Sequence, residues 1–198
     1  MEKHLIETFG TIGLLLTIFA ESSLIFFLPG DTLLFTAGLL ASQGELNIAV
    51  VLIGSFIAAV AGNQVAYAVG ARLGPSLFKP GSRLFKMEYV TRSEEYFDKY
   101  GSRTIVLARF IPAVRTFAPI LAGIGSMRYR TFVIYNLVGA LLWAVGVTVL
   151  GYTLGKTVHG IDKYLLPVIL LIAALSAIPV LLEVRRNRRN RAPKLPLD

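Results

Sequence analysis

The sequence predicts an all-α integral membrane protein in which two re-entrant helical hairpins enter from opposite faces and alternate with transmembrane helices in an inverted-repeat arrangement. Three observations predict it. Of the 198 residues 55% are hydrophobic and only 16% charged, and the mean hydropathy is +0.65, with the apolar residues gathered in blocks. Two of those blocks carry helix breakers inside them. The two signs of charge are segregated: no Lys or Arg lies between His4 and Arg72, and no Asp or Glu between Lys99 and Ile161.

Taken in order, the apolar runs are 11–28, 32–42, 46–71, 104–126, 131–155 and 164–182. A spanning helix needs ~20 residues at 1.5 Å rise to cross ~30 Å. Runs 46–71, 131–155 and 164–182 meet that length without interruption. The first two runs flank Leu28-Pro29-Gly30-Asp31, where Pro removes a backbone donor and Gly tolerates unusual dihedrals. The arm 32–42 reaches only about 16 Å as a helix, so 11–42 reads as one hairpin that enters and leaves on the same side. Run 104–126 contains Pro112, Pro119, Gly123 and Gly125, and reads as a second hairpin. Residues 86–101 read as an amphipathic helix within the basic 72–103 stretch.

Orientation follows from the basic residues. The 72–103 stretch holds seven of them, Arg128 and Arg130 follow run 104–126, and RRNRRNR occupies 185–191 ahead of a tail ending at 198. If 104–126 crossed the bilayer once, the first stretch and the tail would face opposite sides. If it re-enters, all three basic regions face the cytoplasm, which the positive-inside rule favours. The loop 42–46, free of Lys and Arg, is then external, and the first hairpin enters from outside. The two hairpins thus enter from opposite faces, a pattern that in transporters places a binding site near the midplane. Sequence identity between the halves is negligible, so the repeat rests on topology.

Composition also excludes. Cys is absent, which removes disulfides and thiolate metal sites, and the two histidines, His4 and His159, are far apart. A metal centre or a paired-histidine phosphatase has no material here, and no cofactor or enzymatic activity is expected. The net charge of +8 comes mostly from 72–103 and the tail. After an apolar helix such a tail reads as a cytoplasmic anchor on anionic lipid, not as a nucleic-acid arm. The mixed-charge start MEKHLIETFG, with no small-residue cleavage site after the first run, does not read as a removable signal peptide.

The candidate functional residues are the charges inside the apolar runs. A charge at bilayer depth costs ~2.5–3.5 kcal/mol and usually faces a partner or a pathway. Glu21 reads as a proton-titrating carboxylate or a salt-bridge partner, against an alternative at the water interface. Asp31 has the same two readings, or simply caps a helix beginning at Thr32. Arg109 and Arg115 are six apart, ~240° around a straight helix, and converge only if the chain breaks at Pro112. Converging guanidiniums suit a phosphate, whose oxygens match their forks; the other reading is a structural lock with Glu21 or Asp31. Gly62, Ala66, Gly70 and Gly74 form a small-residue stripe for helix packing. Asn63 and Tyr67 beside it are candidates to line a polar path, while Tyr135, Asn136 and Trp143 read as packing and interface anchors.

Across roughly residues 10–160 the chain resembles the DedA family of bacterial inner-membrane proteins, related to the wider SNARE-associated, VTT-domain proteins. The resemblance rests on Glu21 followed by PGD at 29–31, on GNQVAYAVGARLG at 62–74, and on ARFIPAVRTFAPILAGIGSMRYRTFVIYNLVGALLW at 108–143. The chain departs from the family pattern at Phe27-Leu28, where many members carry a further proline, and at Asn63, where many carry Asp. The resemblance implies a fold with two opposed re-entrant hairpins and a function in lipid translocation. The lipid is undecaprenyl phosphate returned to the cytoplasmic leaflet or, alternatively, phosphatidylethanolamine moved by a flippase or scramblase. It also implies a link to the proton gradient, an acidic pair at Glu21 and Asp31, and an arginine pair at Arg109 and Arg115. The expected partners are therefore a membrane lipid and protons, with no nucleic acid.

Overall fold

The computed structural model describes residues 2–23, 30–77, 97, 99–125 and 127–157, and among these every regular element is helical. The expected span 164–182, the tail 185–198 and most of the 72–103 stretch lie outside the described residues. The first half holds α1 (Glu2–Ser23), α2 (Gly30–Ser42) and α3 (Ile48–Leu77). The second half holds α4 (Thr104–Ala108), α5 (Pro112–Ile124), α6 (Tyr129–Ala140) and α7 (Gly146–Thr157), with one π-helical turn, Leu141–Val145, joining the last two.

Two helical stretches are long and apolar enough to cross a membrane, Ile48–Arg72 and Tyr129–Thr157. They match the spans read from 46–71 and 131–155. The helices α2 and α5 have 13 residues each, about 20 Å, and neither could cross alone. Large apolar side chains such as Leu16, Ile53, Ile57, Leu107, Leu141 and Leu150 are more than half exposed, as lipid-facing residues are.

Several boundaries differ from expectation for local reasons. Helix α1 begins at Glu2, upstream of the apolar run, because nothing in residues 2–10 breaks a helix. Gly30 and Asp31 open α2 rather than interrupt a helix, and Asp31 sits inside the first turn instead of capping it. A carboxylate there meets the positive end of the helix dipole. In the second half the break falls at 109–111, directly before Pro112, the proline at which convergence of the two arginines requires one. Pro112 is the first residue of α5, where its missing N–H costs nothing, and it holds Ile111 in an extended conformation (φ −117°, ψ 107°). Pro119 does not break the run: it lies inside α5, which continues to Ile124. Of the amphipathic 86–101 segment only the end is described. Phe97, Lys99 and Tyr100 are helical, and Gly101 closes that turn at φ +72° with its N–H on Phe97 O at 2.8 Å.

The packing exchanges partners between the halves. Within each half the first arm packs on its own long helix, α1 on α3 and α4 on α6. The second arm packs on the long helix of the other half, α2 along α7 and α5 along α3. Both crossings are glycine-lined on both sides. A Cβ on Gly38 would strike the Thr148 carbonyl, and one on Gly151 the Phe35 carbonyl. Likewise a Cβ on Gly70 would strike the Ile120 carbonyl, and one on Gly123 the Tyr67 carbonyl. Backbones that approach this closely gain van der Waals contact, the main attraction left to helices in lipid. Gly62 serves the α1–α3 contact in the same way, against Phe19 and Ser22, so the small-residue stripe packs helices as expected.

Two apolar clusters result. One gathers Leu14, Ile18, Leu34, Val51, Ala59 and Trp143, and the other Ile105, Ala108, Ala118, Ala122 and Phe132. The crossings make a direct test. Gly151→Leu should lower the melting temperature of the purified protein through an overpacking cost of about 1–3 kcal/mol or more. Gly146→Ala, whose Cβ would meet nothing within 4 Å, should not lower it.

Candidate functional site

Where the two clusters adjoin, the four charges singled out in the sequence come together. Arg115, on the second turn of α5, reaches across to the first half. Its NH2 group pairs with Glu21 Oε1 and its NH1 donates to Asp31 Oδ1 at 3.1 Å. Glu21 is 1% exposed, Arg115 9% and Asp31 24%, so the pairing is screened from water on the Glu21 side and open on the Asp31 side. The Glu21 carboxylate lies against Gly30, where any Cβ would collide with it. The absence of a side chain at Gly30 thus seats the carboxylate at the start of α2.

Arg109 is held differently. It ends α4, where successive i to i+3 bonds (Arg109 N to Val106 O, Phe110 N to Leu107 O, Ile111 N to Ala108 O) tighten the chain before the extended Ile111. The side chain is 3% exposed. Its NH2 donates to Asn136 Oδ1 at 2.6 Å and to Ala59 O at 3.2 Å. Asn63 adds a third oxygen: with its amide turned to donate to Ser22 O at 2.8 Å, its Oδ1 accepts from Arg109 NH2 at 2.9 Å. In the opposite orientation Asn63 donates to Asn136 Oδ1 at 3.0 Å, but then its oxygen faces only acceptors. Gly139 leaves room for the Arg109 stem, since a Cβ there would lie 2.9 Å from Cδ. Among the described residues no carboxylate forms an ion pair with Arg109.

Trp143 stands between the two arginines. Its ring centroid is 4.8 Å from Arg115 Cζ and 5.9 Å from Arg109 Cζ, within cation–π range of both. Its indole Nε1–H donates to Asp31 Oδ1 at 2.5 Å. Six residues from four separate stretches, Glu21, Asp31, Arg109, Arg115, Asn136 and Trp143, therefore form one buried polar network, joined by Asn63. Glu21 Oε2 and the Nε atoms of Arg109 and Arg115 are buried without a hydrogen-bond partner among the described residues. The network thus keeps donors uncommitted on both guanidiniums.

The structure brings together Glu21, Asp31, Arg109, Arg115 and Asn63. It does not bring Tyr67 to them: Tyr67 OH donates to Met127 O at 2.5 Å and its ring stacks on Phe132 with centroids 4.4 Å apart. The sequence reads Asn136 and Trp143 as packing and interface anchors and Gly30 as a helix breaker, without pointing to Gly30 as the seat of Glu21 or to Gly139. A signal was present. Asn136, Gly139, Ala140 and Trp143 recur at three, four and seven residues, a polar and small stripe on an otherwise apolar span. No group of three or more His, Asp or Glu side chains suited to a metal ion occurs among the described residues.

Helical elements throughout the described residues, two apolar stretches long enough to span and a buried charge cluster together suit a membrane protein. Comparison with known proteins agrees. The VTT domain model matches residues 28–153. Protein DedA of Escherichia coli K12 is 40% identical over 200 residues, covering 96% of this chain and 91% of that protein. An uncharacterised membrane protein of Mycobacterium tuberculosis H37Rv is 43% identical over 192 residues, covering 94% of this chain and 84% of that one. An uncharacterised membrane protein of Mycobacterium leprae is 44% identical over 180 residues, with 90% and 81% covered. No solved structure matches. The chain belongs to the DedA family of VTT-domain membrane proteins.

The network predicts asymmetric mutational costs. Arg115→Gln leaves the Glu21 carboxylate buried without its ion-pair partner, and should lower stability by about 3–5 kcal/mol. Adding Glu21→Gln should recover part of that loss in a thermal-unfolding double-mutant cycle.

Proposed function

We propose that this protein is a transporter, not an enzyme, and that it moves a lipid with a phosphate head group between leaflets. The specific reading is return of undecaprenyl phosphate from the outer to the cytoplasmic leaflet of the bacterial inner membrane, which recycles the carrier for envelope synthesis. The observation that carries the proposal is Arg109: a guanidinium 3% exposed and held only by neutral oxygens among the described residues. Its charge is available to a phosphate, whereas that of Arg115 is already shared by two carboxylates. Two arginines at one aromatic ring match the forked oxygens of a phosphate. The polyprenyl tail stays in lipid while the head group crosses.

Charge balance supports coupling to protons. The two carboxylates and two guanidiniums cancel, so a bound phosphate leaves the buried cluster negative. A proton taken by one of the two carboxylates offsets one of those charges and loosens that carboxylate's hold on Arg115, which can then join Arg109 on the phosphate. In the same reading the chain is multi-pass, α2 and α5 belong to hairpins re-entering from opposite faces, and the C-terminal tail is cytoplasmic. The exchange of partner helices between the halves supports that inverted arrangement.

The deciding experiment reconstitutes the protein in vesicles carrying labelled polyprenyl phosphate and labelled phosphatidylethanolamine in competition, under an imposed pH gradient. The polyprenyl phosphate should move preferentially and faster with the gradient. Arg109→Lys, which keeps the charge but loses the fork, should slow transport at least about tenfold while the protein stays folded. Equal transport by wild type and Arg109→Ala would rule out the role given to Arg109. Preferred movement of phosphatidylethanolamine would reassign the substrate.

A further inference from the structure

The side chain at the centre of the four charges is itself uncharged. We propose that Trp143 is a positioning residue for the anion site: its indole N–H tethers Asp31, and its ring face is the shared platform on which both guanidiniums rest. Its part in transport rests on the lipid-phosphate reading above, but the tether and the platform are argued from geometry alone.

Trp143 is 2% exposed and packs within an apolar cluster with Ile18, Leu34 and Val51. Packing would explain the ring but not the direction of its one donor. That donor is aimed at Asp31 Oδ1, the same oxygen that accepts from Arg115 NH1. One carboxylate oxygen is therefore shared by the indole and the guanidinium. The π-helical turn Leu141–Val145 centres on Trp143, and such insertions re-aim side chains at functional sites. The charged groups facing the ring and its partners are Glu21 from α1, Asp31 from α2, Arg115 from α5 and Arg109 between α4 and α5. From α3 the cluster receives neutral groups: Asn63 and the Ala59 and Val60 carbonyls.

The two bonds to Trp143 do different work. The tether keeps Asp31 in place when Arg115 leaves it, so the resting pair re-forms at the same geometry. The ring face tolerates lateral displacement of a cation better than a hydrogen bond does. Arg115 can thus exchange a carboxylate for a phosphate while keeping one partner, with the indole as pivot.

Trp143 is the only tryptophan in the chain, so intrinsic emission reports on this site alone. The test uses the purified full-length protein in lipid nanodiscs without any polyprenyl phosphate. Asp31→Ala and Asp31→Asn should each displace the emission maximum or yield from wild type, and Glu45→Gln, at an exposed position, should not. In vesicles, Trp143→Phe keeps an aromatic face and deletes the donor. It should melt close to wild type yet carry polyprenyl phosphate roughly tenfold more slowly, and Trp143→Leu, lacking both, should be slower still. Emission that superimposes for wild type and both Asp31 variants would overturn the tether. Wild-type transport by a folded Trp143→Phe would overturn the positioning role. Should Trp143→Phe fail to fold, the emission comparison decides, because it is made on chains that keep the indole. Should wild type move no lipid phosphate, the transport reading falls and the emission result still judges the tether.

Discussion

Everything in this fold is arranged around the need to bury Arg115 with its carboxylates. A buried guanidinium is costly unless its charge is paired or solvated on the spot. Glu21 and Asp31 meet it, yet they come from two different helices, α1 and α2, and Arg115 comes from the other half of the molecule. The ion pair therefore links the halves, and the helix starts at Gly30 and Pro112 follow from it. The break at 109–111 lets Arg109 and Arg115 reach the cluster from directions that one continuous helix would not allow.

Arg109 shows the contrasting solution. No carboxylate meets it among the described residues; amide and carbonyl oxygens from α3 and α6 and the face of Trp143 spread its charge instead. Such a shell solvates a cation without neutralising it. The two arginines, six residues apart in sequence, are thus in different electrostatic states, one compensated and one not. The surroundings thus distinguish the two cations within one cluster.

Much of this was legible in the amino-acid order. The spans at 46–71 and 131–155, the shortness of 32–42 and the charge segregation all follow from hydropathy and from the cost of burying charge. Glu21, Asp31, Arg109 and Arg115 stood out because a charged residue in an apolar run has few places to go. The positions of the breaks were less legible. Pro112 reads equally well as a helix breaker or a helix opener, and only the extended Ile111 before it decides. Pro119 shows that a proline in a buried helix need not end it. Trp143 and Asn136 read as anchors in the sequence because a single Trp or Asn in a span has many common uses. Their roles depend on contacts with residues far away in sequence, which periodicity along one helix does not encode. Tyr67 stands out only by proximity to the small-residue stripe, and its hydroxyl has a backbone partner away from the charges.

The reciprocal crossings carry a consequence for biogenesis. Because α2 lies on α7 and α5 lies on α3, neither half contains the surface its own second arm requires. The first half emerges with a short helix whose main seat, around Gly151, is synthesised more than a hundred residues later. Packing of that acid-bearing arm is consequently incomplete until its counterpart has been made.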